Sequence, residues 1–133
     1  MNNIIWKYKS DLLNQDVYTR IESERGIEIP SEIKELISEA NGATPSKYKF
    51  VVGDKERVLG SILSFNENEP DSDSVFTALM VVKDANLLPF GIDPFGNYIC
   101  YNLSTQNVDF LDHENGNVSS TEKNLKEFLK SLY

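Results

Sequence analysis

Few side chains in this sequence are typed and spaced for chemistry. The one histidine, His113, stands between Asp112 and Glu114. Such a trio suits a general base oriented by a carboxylate, or a metal ligand. A zinc site takes about four ligands, usually nitrogen or sulfur, and no second histidine or nearby cysteine completes one. His113 therefore reads as a turn histidine with acidic neighbours. The one cysteine, Cys100, sits between Ile99 and Tyr101, with no local positive charge or helix start to make its thiol reactive. It reads as buried packing. A single cysteine forms no internal disulfide, which suits a reducing compartment.

The acidic run Glu67, Glu69, Asp71, Asp73 invites a calcium reading. An EF-hand loop places glycine sixth and glutamate twelfth. Counted from Asp71, those positions hold Phe76 and Val82, so the run reads as a solvated loop. No GxSxG, HExxH or phosphate-cradling glycine loop is present. The chain reads as a binder rather than a catalyst, with no cofactor and no metal. Two carboxylate groups are the candidate partner contacts: Glu67, Glu69, Asp71 and Asp73 form one, and Asp109, Asp112 and Glu114 the other. Six tyrosines and one tryptophan are available as interface anchors.

These groups must be held by a scaffold, and its elements are legible as periodicities. Asn14-Gln15-Asp16 before Val17, Tyr18 and Ile21, with Gly26 after, predicts a short helix with an Asn or Asp cap and a Gly stop. Ser31 is the expected cap of a stronger helix, in which Ile33, Leu36, Ile37 and Ala40 fall at i, i+3, i+4 and i+7 before Asn41-Gly42. Tyr48 to Val52 and Val58 to Phe65 read as strands joined through Gly53-Asp54-Lys55. Val75 to Val82 is ambiguous, with caps at its start favouring helix and branched residues favouring strand. The reading taken is helix.

Asn86 to Leu103 reads as strand–turn–strand. Pro94 presets its φ for the turn Asp93-Pro94-Phe95-Gly96-Asn97, and Gly96 supplies a positive φ. A further strand follows at Val108 to Leu111, and residues 112 to 117 form a turn. Ser119-Ser120-Thr121-Glu122 matches a capping box opening a last helix with the stripe Leu125, Phe128, Leu129 and Leu132. The order predicts one α+β domain over residues 1–133: a twisted, mainly antiparallel sheet flanked by N-terminal helices and a C-terminal helix.

The chain has 133 residues and a net charge of −8, unevenly placed. Residues 1–57 carry ten acids and nine bases, residues 58–117 nine acids and only Lys83, and the rest two acids and three bases. Nucleic acid and anionic membranes both attract the opposite sign, so neither is an expected partner. A basic protein would be steered toward this surface. No apolar run approaches the ~20 residues that span a bilayer, and no secretory signal opens the sequence. The expected location is the cytoplasm.

Several of these segments recur in one family. They are Glu24 to Pro30, the Ile33, Leu36, Ile37 spacing, Ala40-Asn41-Gly42, Leu88 to Asp93, Phe95 to Cys100, and Val108 with Asp112-His113-Glu114. Together with the Leu125 to Leu132 helix, the string resembles the Smi/Knr-type domain of the SUKH superfamily from about residue 14 onward. Ala43 stands where a second glycine is usual, and Gly91 where alanine is frequent. The resemblance implies a cofactor-free sheet-and-helix scaffold. Bacterial relatives are known mostly as immunity proteins that neutralise a cognate toxin, often a nuclease, and fungal relatives as regulators of cell-wall synthesis. The expectation is an immunity protein that occludes a basic toxin domain encoded nearby, with a scaffold for a non-toxin partner as the alternative. The family shares its scaffold more than its binding surface.

Overall fold

The computed structural model describes residues 3–67 and 73–133. Chain order is β1 (Trp6–Lys7), α1 (Asp16–Arg25), α2 (Ser31–Ala40), β2 (Thr44–Pro45), β3 (Lys49–Val52), β4 (Lys55–Val58), β5 (Ser61–Ile62), α3 (Val75–Val81), β6 (Leu87–Ile92), β7 (Tyr98–Asn102), β8 (Asn107–Leu111), β9 (Val118–Asn124) and α4 (Leu125–Ser131). Strands β5 to β9 form one antiparallel meander in sequence order, while β1–β2 and β3–β4 are separate antiparallel pairs. The α+β architecture expected from the sequence is the one adopted.

The apolar stripe of α2 does what its spacing predicts. Ile33, Leu36, Ile37 and Ala40 are all buried. Each large side chain among them is worth about 1.5–3 kcal/mol on burial, against about 1 kcal/mol for a good cap, so packing holds this helix. Its cap differs from the prediction. Pro30 takes the cap position and its carbonyl accepts from Ile33 and Lys34, leaving Ser31 as the first helical residue without a capping bond. On α1 the expected Asn or Asp cap is replaced by Gln15, which makes no side-chain capping bond; Asn14 Oδ1 accepts from the Asp16 amide at 2.9 Å just before it, and Gly26 stops the helix at φ 66°. Helix wins over 75–81 because Ser74 Oγ takes the Phe76 amide at 3.0 Å.

Two other expectations are corrected. The strand read as Val58 to Phe65 is broken, because the chain changes sheets at Leu59-Gly60. The Leu59 amide donates to Tyr48 and the Gly60 amide to Ile92, so β4 and β5 serve different sheets. The capping box is not at Ser119 to Glu122, which lies inside β9 and pairs with β8. It is at Asn124, whose side chain accepts from the Glu127 amide at 2.9 Å while Glu127 accepts from the Asn124 amide at 3.0 Å.

Strand β7 is buried on both sides, from Tyr98 through Tyr101. One face carries an aromatic stack in which Phe50 lies 5.0 Å from Phe128 and 6.3 Å from Phe110, and Phe90 6.3 Å from Phe128. These ring contacts fasten the β3–β4 hairpin and α4 to the meander. The pairing of β6 with β7 skips Phe90, between Pro89 and Gly91. Such a bulge is where a strand tolerates a proline.

Candidate functional site

The meander places the β6–β7 turn beside the turn that follows β8. Asp93, buried at the end of β6, organises the first. Its Oδ1 accepts from the Phe95 amide at 2.9 Å and the Asn97 amide at 2.8 Å, and its Oδ2 accepts from Asn97 Nδ2 at 2.8 Å. The Asp93 amide donates to the Asn97 carbonyl at 2.9 Å. Gly96 sits at φ 87°, and a Cβ built there would come within 3.8 Å of the His113 ring. Asn97 Oδ1 then reaches the second turn, accepting from the His113 amide at 3.0 Å and lying 2.7 Å from His113 Nδ1.

That contact fixes the histidine's role. An amide oxygen only accepts, so it is Nδ1–H that donates to Asn97. Asn97 is held by Asp93 and in turn holds His113, so the imidazole braces one turn against the next. The sequence reading of His113 as a turn residue agrees with this geometry. Its partner Asn97, sixteen positions away, was not legible. Among the described residues no group of three or more His, Cys, Asp and Glu side chains converges as a metal site.

The seven candidate contact residues fall in different places. Asp112 and Glu114 are together on the second turn, where Asp112 Oδ1 accepts from the Glu114 amide at 2.9 Å and Glu114 is exposed. Asp109 is not with them on the surface. It is buried opposite Cys100, its Oδ2 accepting from Asn102 Nδ2 at 2.9 Å and its Oδ1 without a hydrogen-bond partner. Both faces of β8 are covered, so the alternation that would put Asp109 outside does not hold. Glu67 is ion-paired with Arg20 at 2.6 Å, and the Arg20 guanidinium also lies 4.5 Å over the Phe76 ring. Asp73 is exposed, and its carbonyl accepts from the Ser64 amide. Glu69 and Asp71 lie outside the described residues.

Burial pushes the Cys100 thiol well above its ordinary pKa, the Asp109 carboxylate pushes it further and Arg25 opposes both. The thiol is therefore neutral and inert at physiological pH. Three arrangements had no sequence signal. Tyr101 donates its hydroxyl to Glu32 on α2, and burial, followed by that bond, pushes the phenol up to about 12. Arg25 caps the end of α3 by donating to the carbonyls of Val82 at 2.9 Å and Asp84 at 3.1 Å, where a cation also suits the helix dipole. An open groove of about 730 Å³ lies between the α1–α2 link and the β7–β8 turn.

Phe95, at the tip of the first turn, is 76% exposed. The described residues thus present a braced pair of turns with an apolar tip and flanking carboxylates. No described helix is long and apolar enough to cross a membrane. A family model described as SUKH_6, SMI1-KNR4 cell-wall, matches residues 16–129. No curated protein matches the chain.

Proposed function

We propose that this chain, which belongs to the SUKH_6 (SMI1-KNR4 cell-wall) family, is a non-catalytic binding protein that neutralises a basic toxin domain encoded beside it. The observation that carries the reading is the charge map. From Asp84 to Glu122 the sequence contains no lysine or arginine, and this stretch builds most of the meander and both braced turns. A surface of one sign speeds encounter with a partner of the other and repels like-charged competitors. Carboxylates at that surface would stand where a nuclease expects phosphates, and the bound protein would block the substrate path.

Titration of this protein against the C-terminal domain of the protein encoded beside it, at low and at high salt, tests the reading. Tight binding that weakens with salt, together with lost toxicity, supports it. Absence of binding at both salt concentrations refutes it. The family's cell-wall description favours a second reading, a regulatory scaffold for a non-toxin protein, and that reading gains if the titration is blank.

A further inference from the structure

We propose that the partner is gripped at the β6–β7 turn, with Phe95 as the inserted anchor and Asp112 and Glu114 as its charged rim. The matching surface is an apolar pocket edged by Lys or Arg on a protein. This rests on the binding reading above and names the part of the surface that performs it.

The β6–β7 turn closes without help from an aromatic side chain. Pro94 and Gly96 supply its dihedrals and Asp93 its internal bonds, so a polar residue at position 95 would serve the fold as well. Only the amide of Phe95 is used there. Its ring is 76% exposed, and no aromatic neighbour lies against it among the described ring contacts. A phenylalanine this exposed buries little apolar surface in the monomer, whereas aromatic anchors dominate interface energetics.

Rigidity is the second observation. Asp93 and Asn97 fix both sides of Phe95, and the Asn97–His113 contact ties the turn to its neighbour. A tip already held in one conformation loses little entropy when it docks. Charge is the third. Asp112 and Glu114 sit on the turn that Asn97 holds, and the adjoining β3–β4 hairpin, with Asp54 and Glu56 against Lys49, Lys55 and Arg57, sets one net positive charge against their two negative ones. The rim therefore keeps a net negative charge, and a partner pocket with a basic edge complements it.

The test is a titration of wild-type protein and of Phe95→Ala against the C-terminal domain of the protein encoded beside it, with thermal melts of both variants. Phe95→Ala is expected to raise Kd about 30-fold or more, the size of an interface hot spot, with an unchanged melting temperature. Asp112→Asn with Glu114→Gln is expected to slow association several-fold and flatten its salt dependence. Wild-type binding with an unchanged Kd for Phe95→Ala overturns the anchor and leaves the binding reading standing. Blank titrations for both variants overturn the binding reading, and the anchor falls with it. A wild-type dimer that Phe95→Ala converts to a monomer also overturns the proposal, because the ring would then be docked on a second copy.

Discussion

Removing the Asp93 carboxylate should unfasten the braced turns, and the structure sets the size of the effect. In Asp93→Ala three donors lose their acceptor: the amides of Phe95 and Asn97 and the side-chain amide of Asn97. Hydrogen bonds to a charged group contribute about 1.5–3 kcal/mol each, and a buried donor left unpaired costs its desolvation. The two Asn97 donors are buried, whereas the Phe95 amide is partly exposed and can return to water. Taking about 1.5 kcal/mol for each buried donor and about 0.5 kcal/mol for the third gives a loss of about 3.5 kcal/mol. For a chain of this length that lowers the melting temperature by roughly 10–15 °C. Asp93→Asn keeps one oxygen for the two backbone amides but sets its own NH2 against that of Asn97, and should cost about half as much. Urea unfolding gives both values, and amide hydrogen exchange at Phe95 and Asn97 should accelerate in step. A loss below about 1 kcal/mol in Asp93→Ala, or equal losses in the two variants, would refute the assignment of Asp93 as the organiser.

Two more outcomes follow from particular contacts. The Tyr101 phenol is raised to about 12 in the folded protein, against an unfolded value of about 10. Between those pH values the unfolded chain holds fewer protons than the folded one, so stability falls as pH rises from about 10 to about 12. Comparing alkaline unfolding of wild type with Tyr101→Phe isolates this loss, and equal slopes from pH 10 to 12 would remove it from Tyr101. A Cβ on Gly91 would come within 2.6 Å of Leu59 Cδ1 and 3.4 Å of Ile99 Cβ, and Leu59 is fully buried. Gly91→Ala should cost about 1–3 kcal/mol by overpacking, and adding Leu59→Val should cost less than the two single changes summed; strict additivity in a double-mutant cycle would dismiss the clash.

How much was legible depended on the range of the interaction. The α2 stripe, the Gly26 stop and the β6–β7 turn are local patterns, and each appears where the residues announce it. The capping box shows where local reading fails. Ser119 to Glu122 and Asn124 to Glu127 both fit the pattern, and pairing with β8 claims the first. Thr121 Oγ1 donates to the Val108 carbonyl at 2.7 Å, a bond between strands that a helix start could not make. At the candidate site the same division holds. His113 as a turn residue is local, whereas its bond to Asn97, the Arg20–Glu67 pair and the Tyr101–Glu32 bond join positions 16, 47 and 69 apart. The burial of Asp109 needs both faces of the sheet to be covered, which no strand states by itself.

The sorting of the carboxylates bears on how such a protein would hold its partner. Seven were candidates for contact; Asp109 lies buried inside the sheet, and Glu67, exposed, is paired with Arg20. At physiological ionic strength charges are screened over about 8 Å, and an exposed ion pair contributes only about 0–1 kcal/mol. Asp112 and Glu114 can therefore set the rate and direction of approach, but a long-lived complex needs a group that leaves water completely. Phe95 is an exposed side chain beside them that can do so, and three bonds to Asp93 already hold the turn that carries it. The two contributions separate in kinetics. Charge changes at 112 and 114 should appear in the association rate and its salt slope, and loss of the ring in the dissociation rate.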